Sequence, residues 1–326
     1  MSDFPQARLH VVSGKGGTGK TTVAAALALA LASGGKKVLL AEVEGRQGIA
    51  QLFDCAPLPY EERKIAVAPN GGDVFALAID PEQALLDYLH MFYKLSPTGI
   101  PARALRRMGA IDFATTIAPG LKDVLLTGKV KESVVRNVAG TRVYDHVVMD
   151  APPTGRIPRF LNISQEIGNL AKVGPLKTQS DKVMELFRSS QTVVHLVTLL
   201  EEMPVQETID AVAELSALDL HVGAVIVNAV RTPALQPADL LAAERGQLDL
   251  VALKTGLKSV GLDVALAPVL AAEAADHAAR VALEERGRDA LAELHRPSYE
   301  LPLLPDAIDL GGLYELAGML KEQGLA

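Results

Sequence analysis

The sequence predicts an α/β protein, a doubly wound and mostly parallel sheet with helical insertions. Three observations predict it. Short runs of continuous apolar residues alternate with longer helical stretches, the pattern of parallel strands covered on both faces. A glycine-rich turn at 14–22, GKGGTGKTT, separates the first apolar run from the first helical stretch. Apolar residues make up 49% of the 326 positions, which allows a sizeable core and argues against a disordered chain.

Residues 9–13 (LHVVS) read as a short buried strand. The turn after it fits G-x-x-x-x-G-K-[ST] at Gly14, Gly19, Lys20 and Thr21. Between a strand and a helix this spacing is a phosphate-binding loop, and the fold it implies is that of the P-loop NTPases. Glycines let consecutive backbone N–H groups curl around a phosphate, and the helix N-terminus adds partial positive charge. The candidate ATP cradle is therefore Gly14, Lys15, Gly16, Gly17, Thr18, Gly19, Lys20, Thr21 and Thr22. Lys20 is expected to reach the β- and γ-phosphates and Thr21 to ligate Mg²⁺. Residues 21–33 form the helix, and Gly34-Gly35 stops it.

Strands are then expected at 37–44 and 74–79. Asp80-Pro81-Glu82-Gln83 offers an N-cap, a first-turn proline and a glutamine for the capping box. Ala84, Leu85, Tyr88, Leu89 and Phe92 follow at helical spacing and read as core. A helical insertion is expected over about 81–142. Between residues 96 and 142 it carries eight basic residues (Arg103, Arg106, Arg107, Lys122, Lys129, Lys131, Arg136 and Arg142) against Asp112, Asp123 and Glu132. The segment is thus +5 in a chain of −7, either a solvated face or a surface for an acidic client. Its apolar residues (Leu105, Met108, Ile111, Phe113, Leu121, Leu125 and Leu126) either fill its own core or line a groove.

Residues 144–150 (YDHVVMD) are an apolar run ending in an acid, the Walker B arrangement, so Asp150 is the second Mg²⁺ candidate. Strands at 192–200, 221–228 and 299–304 complete the sheet, with right-handed crossovers. A helical segment over about 235–295 adds a further layer. His195 lies inside an apolar run and reads as a core histidine. No stretch is rich enough in Pro, Gly or Ser to act as a linker, so residues 1–326 are expected to form one domain.

Composition narrows the partners. A net charge of −7 argues against nucleic acid as a ligand, since protein surfaces that bind it are basic. The single cysteine, Cys55, excludes an internal disulfide or a cysteine-built cluster within one chain; a small, partly buried side chain is expected there. Residues 1–8 are polar and predict no signal peptide. The longest apolar run, 23–32, is short of the roughly 20 residues that span a bilayer, so the expectation is a cytoplasmic chain without a transmembrane segment.

The loop with its second lysine, Lys15, resembles the deviant Walker A loop of the P-loop subclass that contains the arsenite-pump ATPase, the tail-anchored-protein targeting ATPase, MinD, ParA and nitrogenase iron protein. The stretch 150–161, DAPPTGRIPRFL, resembles switch II of the arsenite-pump and targeting branch, the anion-transporting ATPases. That resemblance implies Mg²⁺-dependent ATP hydrolysis and a face-to-face dimer in which Lys15 reaches the partner's nucleotide. The partner is an identical chain or a related ArsA-like subunit. Glu44 aligns with the switch I aspartate and is implied to position or deprotonate water. Asn228, at the end of VIVN, aligns with the adenine-reading asparagine, and Pro305 and Asp306 with a loop over the adenine. The stretch 193–207 resembles the strand and helix start with its Pro-Val-x-Glu-Thr pattern.

The sequence also departs from the branch. Glu44 is one methylene longer than aspartate, Gly45 replaces a proline and Arg156 replaces a histidine. The clustered cysteines of the arsenite pump and the Cys-x-x-Cys of the targeting ATPase are absent. Three functions share the same nucleotide site. The first is an ArsA-like dimer switch with an unknown client. The second is a ParA- or MinD-like positioning ATPase, for which the C-terminal segment 312–326 lacks a basic amphipathic face. The third is a regulatory subunit with weak hydrolysis.

Overall fold

All six residues of strand β1 (Leu9–Gly14) are buried, because the sheet is covered on both sides. The computed structural model describes residues 3–93, 119–162, 175–305 and 308–326. After β1 come α1 (Lys20–Ala32), β2 (Lys37–Glu42), α2 (Gly48–Leu52), β3 (Arg63–Val67), β4 (Asp73–Ala78) and α3 (Pro81–Tyr93). The middle of the chain forms α4 (Pro119–Val135), β5 (Asn137–Val138), β6 (Thr141–Arg142), β7 (His146–Asp150), α5 (Ile157–Leu161), α6 (Pro175–Arg188) and β8 (Thr192–Thr198). The last part forms α7 (Glu202–Ala217), β9 (Val222–Val230), α8 (Pro237–Glu244), α9 (Leu250–Ser259), α10 (Ala267–Ala292), β10 (Ser298–Pro302) and α11 (Leu310–Glu322).

The main sheet has eight strands in the order β10-β9-β8-β1-β7-β2-β4-β3. Every pairing is parallel except β3 with β4. β1 sits between β7 and β8, both much later in the chain. That is the position where open α/β sheets bind ligands beyond the strand ends.

Side chains alternate between two layers, as the period of two in a strand requires. Val12, Val38, Leu40 and Val148 face α1 and α11. Leu9, Val11, Leu39, Val147 and Met149 face a larger layer that includes Leu85, Val124, Val130, Phe160 and Phe187. α1 is buried on almost every side between sheet and α11, so it is apolar all round rather than amphipathic. The buried side chains of α11 are Leu313, Leu316, Ala317 and Leu320; the apolar face of this last helix is used inside the fold. Among the described residues no helix is long and apolar enough to cross a membrane.

The helix start at Pro81 has its expected cap, since Gln83 N–H donates to Asp80 Oδ1 at 2.9 Å. The segment 235–295 becomes α8, α9 and α10. Cys55 is partly buried. The expected helical insertion differs at its end. Residues 137–142 form the antiparallel hairpin β5–β6, turned by Ala139 and Gly140 with positive φ, the signature of a two-residue primed turn. Strand β3 has no counterpart in the sequence expectation. It is a largely exposed edge strand beginning Arg-Lys, so no apolar run marks it, and charge on an edge strand discourages pairing with other chains.

The described cations of the insertion are partly neutralised, not simply solvated. Lys129 pairs with Asp87 at 3.5 Å and Glu132 at 3.6 Å. Arg136 donates to Glu132 at 2.8 Å and to Glu62 at 2.9 Å. Leu125 and Leu126 are buried in the main core and Leu121 packs against it, as the core-filling alternative expects. Arg103, Leu105, Arg106, Arg107, Met108, Ile111 and Phe113 lie outside the described residues.

His195 is buried, as expected, within a polar chain. Ala224 N–H donates to His195 Nδ1 at 3.2 Å, so His195 carries its proton on Nε2. That nitrogen lies 3.0 Å from His10 Nδ1, which must therefore accept, leaving the His10 proton on Nε2. His10 Nε2 is buried without a partner. A second proton on either ring would face another donor. Burial lowers His195 to about 3, and burial followed by the neighbouring His195 and His146 holds His10 well below the usual histidine range.

A folded pKa below the unfolded one gives stability that is lost as pH falls below the unfolded value. Denaturant unfolding at pH 7 and pH 5 is expected to show a loss of about 2 kcal/mol per fully buried imidazole. A flat profile over that range would contradict the tautomer chain.

Candidate active site

The loop after β1 turns sharply into α1 through Gly19, whose φ is +86°. A Cβ there would lie 2.2 Å from Asn228 Nδ2, so a side chain would displace the Asn228 amide, and the positive φ itself favours glycine. Asn228 donates from that nitrogen to Thr18 O at 2.9 Å. Gly16 and Gly17 are exposed, while Thr18 is buried and donates from Oγ1 to Lys15 O at 2.9 Å. Lys20 is 8% exposed, and its ammonium donates to the same carbonyl at 3.3 Å. Burial lowers the pKa of Lys20, while Asp150 and then Glu44 hold it up.

Thr21 Oγ1 donates to Asp150 Oδ2 at 2.7 Å. The first turn of α1 and the end of β7 thus meet at the carboxyl edge of the sheet. Burial pushes Asp150 up to about 6, with Glu42 and Glu44 adding to the rise against the Thr21 hydrogen bond and Lys20. Its protonation in acid works against the histidine loss by roughly 1 kcal/mol at pH 5. A hard cation takes hydroxyl and carboxylate oxygens, and Thr21 and Asp150 supply both; the residues present fit Mg²⁺.

Behind Asp150 the chain is tied to the loop. Ser13 Oγ donates to Pro152 O at 2.6 Å, and Thr154 N–H donates to Gly14 O at 3.2 Å. Lys15 extends the other way. Its ammonium lies 2.9 Å from Glu207 Oε1 on α7, while Glu207 Oε2 accepts from Thr154 Oγ1 at 2.8 Å. The Lys15 hydrogen bond lowers the Glu207 pKa, against a small effect of burial. Glu44 lies 3.6 Å from Arg46 and 3.7 Å from Arg156, and Arg156 lies 3.8 Å from Asp123 on α4.

The sequence-selected residues Gly14 to Thr22, Glu44, Asp150 and Asn228 all gather at this edge. Pro305 is exposed, three residues after the end of β10, the strand that neighbours β9; Asp306 lies outside the described residues. Sequence reasoning missed two carboxylates, Glu207 and Glu42. Glu207 stood in a quoted segment but without a role. Glu42 ends the run KVLLAE just as Asp150 ends its own, and that shared pattern was the available signal.

A phosphate loop joined through its threonine to a strand-end aspartate, at the carboxyl edge of a parallel sheet, is the site arrangement of the P-loop NTPase fold. Residues 7–190 match the family model of the anion-transporting ATPases, and the chain belongs to that family. It is similar to ATPase BagA of Mycobacterium tuberculosis, with 54% identity over 98% of this chain and 94% of that protein. It is also similar to ATPase GET3 of Kluyveromyces lactis, with 28% identity over 67% of this chain and 70% of that protein. The arsenical pump-driving ATPase of Acidiphilium multivorum is 27% identical over 78% of this chain and 45% of its own length.

Proposed function

We propose that the chain hydrolyses ATP with Mg²⁺ and that ATP closes a face-to-face pair, either of two copies or of this chain with a related subunit, whose opening and closing acts on a client. The observation that carries this reading is the meeting of Lys20, Thr21 and Asp150 at one strand end. Thr21 and Asp150 hold the ion, which neutralises phosphate charge when bound. Lys20 binds the phosphates of the same chain's ATP, and the loop N–H groups orient them. In this reading Asn228, Pro305 and Asp306 bind the adenine. Glu44 orients water toward the γ-phosphate. Lys15 leaves Glu207 and serves the partner's nucleotide.

Residues 1–326 work as one domain in this reading. The C-terminal helix, folded onto α1, and the acidic net charge favour it over membrane or DNA positioning. A regulatory subunit with weak hydrolysis is the second reading, favoured by one observation: Glu44 stands near two arginines.

Phosphate release from the purified chain, with and without EDTA, and sedimentation velocity with Mg²⁺ and the non-hydrolysable analogue AMP-PNP test the proposal. Divalent-dependent turnover is expected, together with a shift from one chain to two under AMP-PNP. Turnover in EDTA, or a single chain at saturating AMP-PNP with any co-purifying related chain present, would overturn it.

A further inference from the structure

Glu42 is the register partner of Asp150 on the adjacent strand. Leu40 and Val148, two residues earlier on each strand, pack into the α1 layer. By the period of two, Glu42 and Asp150 therefore project to that same face, where the first turn of α1 carries Thr21. Glu42 is 2% exposed. Its Oε1 accepts from Gln47 N–H at the start of α2, and its Oε2 has no hydrogen-bond partner.

A buried carboxylate oxygen without a partner is costly and calls for an explanation. No cation among the described residues supplies one. Lys20 donates to the Lys15 carbonyl, and Arg46 and Arg156 stand at Glu44. Among the described residues no ion pair to Glu42 is formed. Asp150 Oδ2, by contrast, is taken by Thr21. Two buried acids thus stand in register on neighbouring strands; one holds the Thr21 hydroxyl, and the other has an oxygen in reserve.

We propose that Glu42 is a further carboxylate of the magnesium site, its unpartnered Oε2 taking the ion or one of its waters alongside Thr21 and Asp150. This rests on the reading of Thr21 and Asp150 as the ion's holders. The alternative role, an acceptor for the α2 start alone, uses only Oε1 and leaves Oε2 unexplained.

The test uses the full chain, AMP-PNP at saturation and Mn²⁺ as a paramagnetic stand-in for Mg²⁺, with free Mn²⁺ counted by its EPR signal. Glu42→Gln keeps the acceptor for Gln47 and removes the charge. It is expected to weaken Mn²⁺ binding by about tenfold or more, the usual effect of removing a group that orients a metal's ligands. AMP-PNP affinity in EDTA should stay at the parent value, and the melting temperature in EDTA should hold or rise, because a buried charge has gone.

Parent-like Mn²⁺ affinity in Glu42→Gln overturns the proposal. So does an equal loss of AMP-PNP affinity in EDTA, which would make Glu42 a support of the loop. Asp150→Asn, run in parallel, separates the two readings. If it weakens Mn²⁺ binding and Glu42→Gln does not, only the Glu42 proposal falls; if neither does, the ion-site reading falls as well. Should Glu42→Gln not fold, Glu42→Asp keeps the charge and withdraws it by one methylene. Reduced Mn²⁺ affinity on a parent-like melt then supports the proposal, and unchanged affinity overturns it.

Discussion

Lys20→Ala is expected to abolish measurable ATP binding. The ammonium sits inside the loop, 8% exposed and within 3.3 Å of the Lys15 carbonyl, so a phosphate entering the loop exchanges one acceptor for several charged ones. Hydrogen bonds to charged groups contribute about 1.5–3 kcal/mol each. Losing two of them weakens binding by at least about 100-fold. The substitution also removes the cation that holds Asp150 down, a group already raised to about 6 by burial and neighbouring acids. The empty loop therefore becomes more repulsive toward a polyphosphate.

Lys20→Met tests the charge separately from the volume and is expected to behave like the alanine variant. Titration with a fluorescent ATP analogue, on protein whose thermal melt remains cooperative, gives the answer. Affinity within a few fold of the parent would mean that phosphates do not sit in this loop.

The parts of the site carried by local sequence were legible. Gly14 to Thr22 announce themselves because the loop, its lysine and its threonine are contiguous, with an apolar strand before and an apolar helix after. Asp150 was legible because the buried apolar run Val147-Val148-Met149 ends in an acid, which it has few structural reasons to do. Glu42 also ends an apolar run, but the resemblance points to Glu44. Only the β2–β7 register shows that the earlier glutamate is the one standing beside Asp150.

Contacts that depend on folding were not legible. Lys15 and Glu207 lie far apart in sequence and meet because β1 and β8 are neighbours, so that α7, which follows β8, starts beside the loop. Asn228 was selected for adenine, yet its amide reaches the loop backbone at Thr18, a contact that no linear pattern encodes. Strand β3 escaped for a different reason. An exposed edge has one neighbour and little burial, so its sequence carries no apolar run to detect.

Lys15→Ala is expected to leave ATP binding within about twofold of the parent and to lower hydrolysis by about 100-fold, the scale on which a single preorganised charge acts on a transition state. The two lysines of the loop face different tasks. Lys20 turns inward, whereas Lys15 is held outward by Glu207 at 2.9 Å, with both side chains about a third exposed. An ion pair so exposed contributes about 0–1 kcal/mol, so the fold should tolerate its loss and Lys15 can leave Glu207 readily. Glu207 keeps its hydrogen bond from Thr154 in the variant, and the loop after Asp150 stays anchored. If Lys15 acted on its own chain's nucleotide, its removal would weaken binding and hydrolysis together. If it acts across a pair, binding survives, turnover collapses, and AMP-PNP no longer draws two chains together. Mixing Lys15→Ala with a chain that carries Lys15 but cannot bind ATP, such as Lys20→Ala, sharpens the distinction: partial recovery of turnover is expected only when the ammonium comes from the other subunit. Equal turnover in Lys15→Ala and the parent would remove the reason for pairing two chains across their nucleotides.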